Sequence, residues 1–133
     1  MNGPINVVVI DDDEDSAETI KSLVSLHGKY KVIQFQEVQQ LHKHISSGER
    51  VDLIITDLFM PFSDGYDVLR EYSQTLPIWV ISGGPKANPA GTSPSLFLSS
   101  AKSLGANKSF QKPIDPRLFR TCLDMFSKEI LDS

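Results

Sequence analysis

The stretch that most constrains this chain is Val51 to Gly65, VDLIITDLFMPFSDG. Asp52 aside, Val51 to Thr56 is a short run of apolar and β-branched residues that ends on an acid, Asp57. Such a run, bounded by turn signals at Met60-Pro61 and Ser63-Asp64-Gly65, reads as a strand buried on both faces, as in a parallel sheet. An acid where that strand stops is not core. It falls at the carboxyl edge of the sheet, where open α/β folds keep their sites. Asp64 is better placed than Asp57 to cap the next helix, which leaves Asp57 for function.

The rest of the chain repeats this alternation. Ile5–Ile10, Lys31–Phe35, Pro77–Ile81 and a weaker Asn107–Gln111 read as the other strands. Between and after them, apolar residues recur at helical spacing. Ala17, Ile20, Leu23, Val24 and His27 mark the first helix; Val38, Leu41 and Ile45 the second; Val68, Leu69 and Tyr72 the third. Phe97, Leu98, Ala101 and Leu104 mark the fourth, and Phe119, Cys122, Leu123, Phe126 and Ile130 the last. Asp115-Pro116 supplies a cap and a first-turn proline for that last helix. Five strands alternating with five helices mean βαβ units, and residues 1–133 suffice for one such domain with its own core.

Charge narrows the function. Asp11, Asp12, Asp13, Glu14 and Asp15 form one acidic knot, leaving 12 acids against 13 Lys and Arg elsewhere. A near-neutral remainder argues against a nucleic-acid partner held by a basic face. No run approaches the ~20 apolar residues that span a bilayer, and Val7–Ile10, followed at once by acids, does not read as a signal peptide. The lone Cys122 excludes an internal disulfide and suits a reducing cytoplasm, the expected location.

The strand ends carry the functional expectation. Asp11 and Asp12 lie just past the first strand, Asp57 past the third, Ser82 past the fourth and Lys112 past the fifth, so parallel strands bring all of them to one edge. In a flavodoxin-like order 2-1-3-4-5 the third strand is central, and neighbouring strands lie only ~4.8 Å apart. The three carboxylates would then crowd and raise one another's pKa. An all-oxygen site of this kind suits Mg²⁺, or Mn²⁺ in its place.

VVVIDDDED, LIITDLFMPFSDG, WVISGG and SFQKPID together resemble the receiver domain of two-component response regulators, of the stand-alone, chemotaxis-regulator type, in order and spacing over nearly the whole chain. The resemblance implies that Asp57 is the phosphoacceptor, with Ser82 and Lys112 as the assisting hydroxyl and ammonium. Asp11, Asp12, Asp57 and the Phe59 backbone carbonyl would hold the metal, and the peptide before Pro113 would be cis. The partners implied are a sensor histidine kinase or histidine phosphotransfer protein as donor and a downstream protein target. The domain catalyses only its own phosphorylation and dephosphorylation. The alternatives are a Mg²⁺-dependent phosphohydrolase, with Asp11-x-Asp13 as its nucleophile pair, and a degenerate receiver acting without phosphorylation.

Other residues read more plainly. Asp13, Glu14 and Asp15 suit the start of a helix, whose dipole they favour. His27, His42 and His44 read as solvated helix residues, and Cys122 as inert packing. Two departures from the family stand out. Receivers usually carry Tyr or Phe three residues before the lysine, where this chain has Ser109, and alternation turns the adjacent Phe110 to the other face. The Gly-, Pro- and Ser-rich stretch from Ser82 to Ser95 also lengthens the interval to Lys112. It is expected to act either as a surface insertion or as a loop that folds over the site on phosphorylation.

Overall fold

The computed structural model describes residues 3–61, 63–83 and 90–132. Its strands are β1 (Ile5–Ile10), β2 (Tyr30–Phe35), β3 (Leu53–Asp57), β4 (Ile78–Ser82) and β5 (Lys108–Gln111). The helices are α1 (Glu14–Ser25), α2 (Val38–Ser46), α3 (Gly65–Tyr72), α4 (Pro94–Ser103) and α5 (Pro116–Asp132). All strand pairs are parallel, in the order β2-β1-β3-β4-β5. This is the flavodoxin-like arrangement, with β3 in the middle.

Alternation along the strands builds two cores. Val7 and Val9 of β1 face α1 and α5, together with Leu53, Ile55, Trp79, Ile81 and Phe110. Val8 and Ile10 face the other way, with Ile54, Ile78 and Val80, onto α2, α3 and α4. A strand covered on both sides has no polar face to keep, which is why every residue of β3 and of β4 is buried. Under α5, the Trp79 ring meets those of Phe110, Phe119 and Phe126 at centroid separations of 5.6–5.8 Å. The pairs with Phe119 and Phe126 are edge-to-face, a geometry that adds about 0.5–1.5 kcal/mol each beyond burial.

The edge of the sheet where the strands begin is stitched by side chains. Asp52 Oδ2 accepts from the Asn6 N–H at 2.8 Å, and its Oδ1 accepts from Arg50 Nε at 3.1 Å. On the neighbouring strands, Asn107 Oδ1 accepts from the Ile78 N–H at 2.9 Å. These carboxylate and amide groups satisfy strand-end donors that the parallel ladder leaves over.

The structure corrects three details of the sequence reading. Helix α4 begins at Pro94, capped by Ser93, so the Gly/Pro-rich connection ends earlier than Ser95. Proline is tolerated at a first helical position because its missing N–H would have no intrahelical partner there. Leu104 caps α4 and is 43% exposed instead of facing the sheet. The histidines are not freely solvated. His27 lies beyond α1, stacks edge-on against Tyr30, and its Nε2 is 2.6 Å from Asp124 Oδ1 on α5. His42 Nδ1 is 2.5 Å from the Tyr72 hydroxyl, and His44 packs against Phe35. The expectation of a loop folding over the site rests largely on residues 84–89, which lie outside the described residues.

Candidate functional site

Asp11 follows β1 directly and its side chain is fully buried. One carboxylate oxygen accepts from the Asp13 N–H at 2.9 Å, and the other from Lys112 Nζ at 3.2 Å. Asp57 ends β3, 8% exposed, with its Oδ1 3.7 Å from the same ammonium. Asp12 is half-buried beside them, and Asp11, Asp12 and Asp57 each offer a carboxylate oxygen within 4.8 Å of the others. Among the described residues, Asp11 and Asp57 share the Lys112 ammonium, and Asp12 brings a third carboxylate to the same cluster.

Asp57 registers these surroundings. Burial, and then the Asp11 charge, push its carboxyl up to about 7, with Lys112 pulling the other way; Asp12 adds to the rise and the Leu58 N–H opposes it. This pattern suits a divalent cation: an all-oxygen donor set of three clustered carboxylates, one of which, Asp57, is costly to ionise where it lies.

The remaining residues reach the same edge. Ser82 ends β4 and is fully buried; Asp57 is in register with the preceding residue, Ile81. The Lys112 N–H donates to the Ser82 carbonyl at 3.1 Å, tying the strand that carries the ammonium to the one that carries the hydroxyl. The Lys112–Pro113 peptide is cis. The Phe59 ring packs against those of Tyr66 and Phe97. Asp13 caps α1, accepting from the Asp15 and Ser16 N–H groups, as expected of a helix-start acid. A cleft of about 300 Å³ opens between Asp13, Asp15, Ser16 and Thr19 on one side and the segment Lys112 to Ile114 on the other.

Gly65 is a residue whose role the sequence reading missed. A Cβ there would lie 2.6 Å from the Asp57 carbonyl oxygen and 2.9 Å from Leu58 Cα, so α3 can approach the end of β3 only through a bare glycine. The available signal was a glycine at a first helical position, where it weakens the helix unless close packing requires it.

An acidic trio met by a lysine, at the switch point of a 2-1-3-4-5 parallel sheet, defines a receiver module of two-component signalling. The chain belongs to that family: the response regulator receiver domain model matches residues 7–124. Among curated proteins it is similar to the sensor protein EvgS of Escherichia coli (strain K12), 31% identical over 123 residues. That match covers 90% of this chain and 9% of EvgS, so the chain spans less than a tenth of that relative. Among solved structures, a putative response regulator from Chloroflexus aurantiacus shares the fold with a TM-score of 0.73 at 23% identity, covering 98% of this chain and 99% of the other. A two-component response regulator from Clostridium difficile does so with a TM-score of 0.77 at 16% identity, covering 95% and 98%. Among the described residues, no helix is long and apolar enough to cross a membrane.

Proposed function

We propose that this receiver accepts a phosphoryl group on Asp57 from a phosphohistidine of a sensor kinase or histidine phosphotransfer protein, and signals by protein contact. The observation that carries the reading is the meeting of the Asp11, Asp12 and Asp57 carboxylates with the Lys112 ammonium at one sheet edge. An Asp57 carboxylate oxygen attacks phosphorus, forming an O–P bond as the N–P bond to imidazole breaks. The bonding pair returns to the imidazole nitrogen, and the product on this chain is an acyl phosphate. Lys112 neutralises charge on the transferring oxygens from the β5 side, and the Ser82 hydroxyl is assigned a hydrogen bond to one of them.

Asp11, Asp12, Asp57 and the Phe59 carbonyl are the residues we assign to Mg²⁺ or Mn²⁺. A divalent ion there supplies positive charge that screens the acids from one another and from an incoming phosphate.

Incubation with acetyl phosphate and Mg²⁺ tests the reading. The expected result is a labile mass increase on Asp57, lost in Asp57→Asn. Turnover of an added phosphomonoester without an adduct would favour the phosphohydrolase, and no adduct at all a receiver that works unphosphorylated. The phosphohydrolase reading also needs a free Asp13 carboxylate beside Asp11, whereas Asp13 is engaged as the α1 cap.

A further inference from the structure

Phosphorylation at one edge of the sheet has to be felt by a surface that a partner reads. Ser109, in register with Val80, faces the α4 side of the sheet and carries no ring, while Phe110 is buried under α5 among Trp79 and Phe119. Ser109 is thus too small to fill space or push a helix.

The aromatic contact on that face is made elsewhere. Phe59, two residues past Asp57, packs edge-on against Phe97 of α4, with centroids 5.0 Å apart and planes at 86°. It also meets the Tyr66 ring at 5.9 Å and 70°. The Tyr66 hydroxyl lies 3.3 Å from the Phe97 carbonyl oxygen and 3.0 Å from Ser100 Oγ, and Ser100 in turn donates to that carbonyl at 2.8 Å. One α3 residue and one acceptor-loop residue therefore hold the same turn of α4. Leu98 and Ala101 are the buried residues of that helix, so the Phe59 and Tyr66 contacts at its edge add to what sets its position.

We propose that the state of Asp57 is passed to α4 through the Phe59–Phe97 ring contact and the Tyr66 tether, in place of a β5 aromatic. The inference rests on Asp57 being phosphorylated. A phosphoryl group there changes charge and hydrogen bonding in the loop that carries Phe59, and its ring, close-packed on Phe97, moves with the loop. Phe97 is a positioning residue and touches no reacting atom.

Hydrogen exchange of α4, with and without beryllofluoride and Mg²⁺, tests this alongside the mass of the acetyl phosphate adduct. In the wild type, exchange over residues 96–104 should change about threefold or more on adding the mimic. Phe97→Leu should keep the Asp57 adduct and lose the α4 response. Tyr66→Phe, which removes only a hydroxyl, should keep the adduct, raise α4 exchange in the unmodified protein and shrink the response. An adduct with no α4 response in the wild type would overturn the relay alone, as would a full response in Phe97→Leu. If Phe97→Leu does not fold, Tyr66→Phe decides: wild-type exchange in both states overturns the relay. Failure of the wild type to form any adduct would overturn the functional reading and the relay with it.

Discussion

Lys112 sits closer to Asp11 than to Asp57: its Nζ is 3.2 Å from Asp11 Oδ2 and 3.7 Å from Asp57 Oδ1. Without a cation or a phosphoryl group, the ammonium thus serves mainly to balance the buried acid after β1. A phosphoryl group on Asp57 would offer it a stronger, doubly charged partner on the other side.

Lys112→Ala should therefore slow formation of the Asp57 adduct by about 10²-fold, the usual cost of removing one preorganised charge donor from a dry site. It should also leave Asp11 buried without its counter-charge and lower stability in metal-free buffer. Adduct kinetics by mass spectrometry and urea midpoints with EDTA check the two effects separately.

The raised carboxyl of Asp57, at about 7, makes metal binding depend on pH. Metal ligands must be deprotonated, so Mg²⁺ affinity should fall about tenfold per pH unit below 7 and level off above it. The stability effect in metal-free protein has the opposite direction. An acid whose folded pKa is raised binds protons in the native state that the unfolded chain has released. Its contribution is fully present below the unfolded carboxyl value near 4 and is lost as pH rises toward and through 7. Asp57→Asn should flatten that slope and be more stable than the wild type at pH 8 in EDTA, as read from urea melts.

Gly65→Ala should cost about 1–3 kcal/mol, because its methyl group meets the backbone of Asp57 and Leu58 and neither can rotate away. Gly28→Ala is a useful contrast. Its φ is +82° with open space around a Cβ, so only the backbone penalty of roughly 1–2 kcal/mol applies. Gly65→Ala should also slow Asp57 labelling, and Gly28→Ala should not.

Phe119→Ala should cost about 3–5 kcal/mol, the range for emptying a large buried aromatic site. Phe119 packs against both Trp79 and Phe110, so tryptophan fluorescence should report the loss of packing directly.

The strand ends were legible because a doubly covered strand announces itself as an apolar run, and each run here stops at a polar residue that matters. Asp11, Asp57 and Ser82 could be placed at one edge before any coordinates, and Lys112 came with its proline. What could not be read was contact across sequence distance. Nothing near His27 signals Asp124, 97 positions away, so a histidine pairing with α5 passed for a solvated one. The Ser93-Pro94 helix start was hidden by the glycines and prolines before it, whose composition spoke for loop throughout. The Phe59, Tyr66 and Phe97 rings come from three separate segments, and periodicity within any one of them does not show that they meet.

Asn6, Asp52 and Asn107 stitch the edge where the strands begin, while Asp11, Asp57, Ser82 and Lys112 occupy the edge where they end. Durability and reactivity are thereby lodged at opposite poles of one sheet. Residues at the first pole can drift, loosening or tightening the domain, without disturbing the clustered acids and lysine at the second.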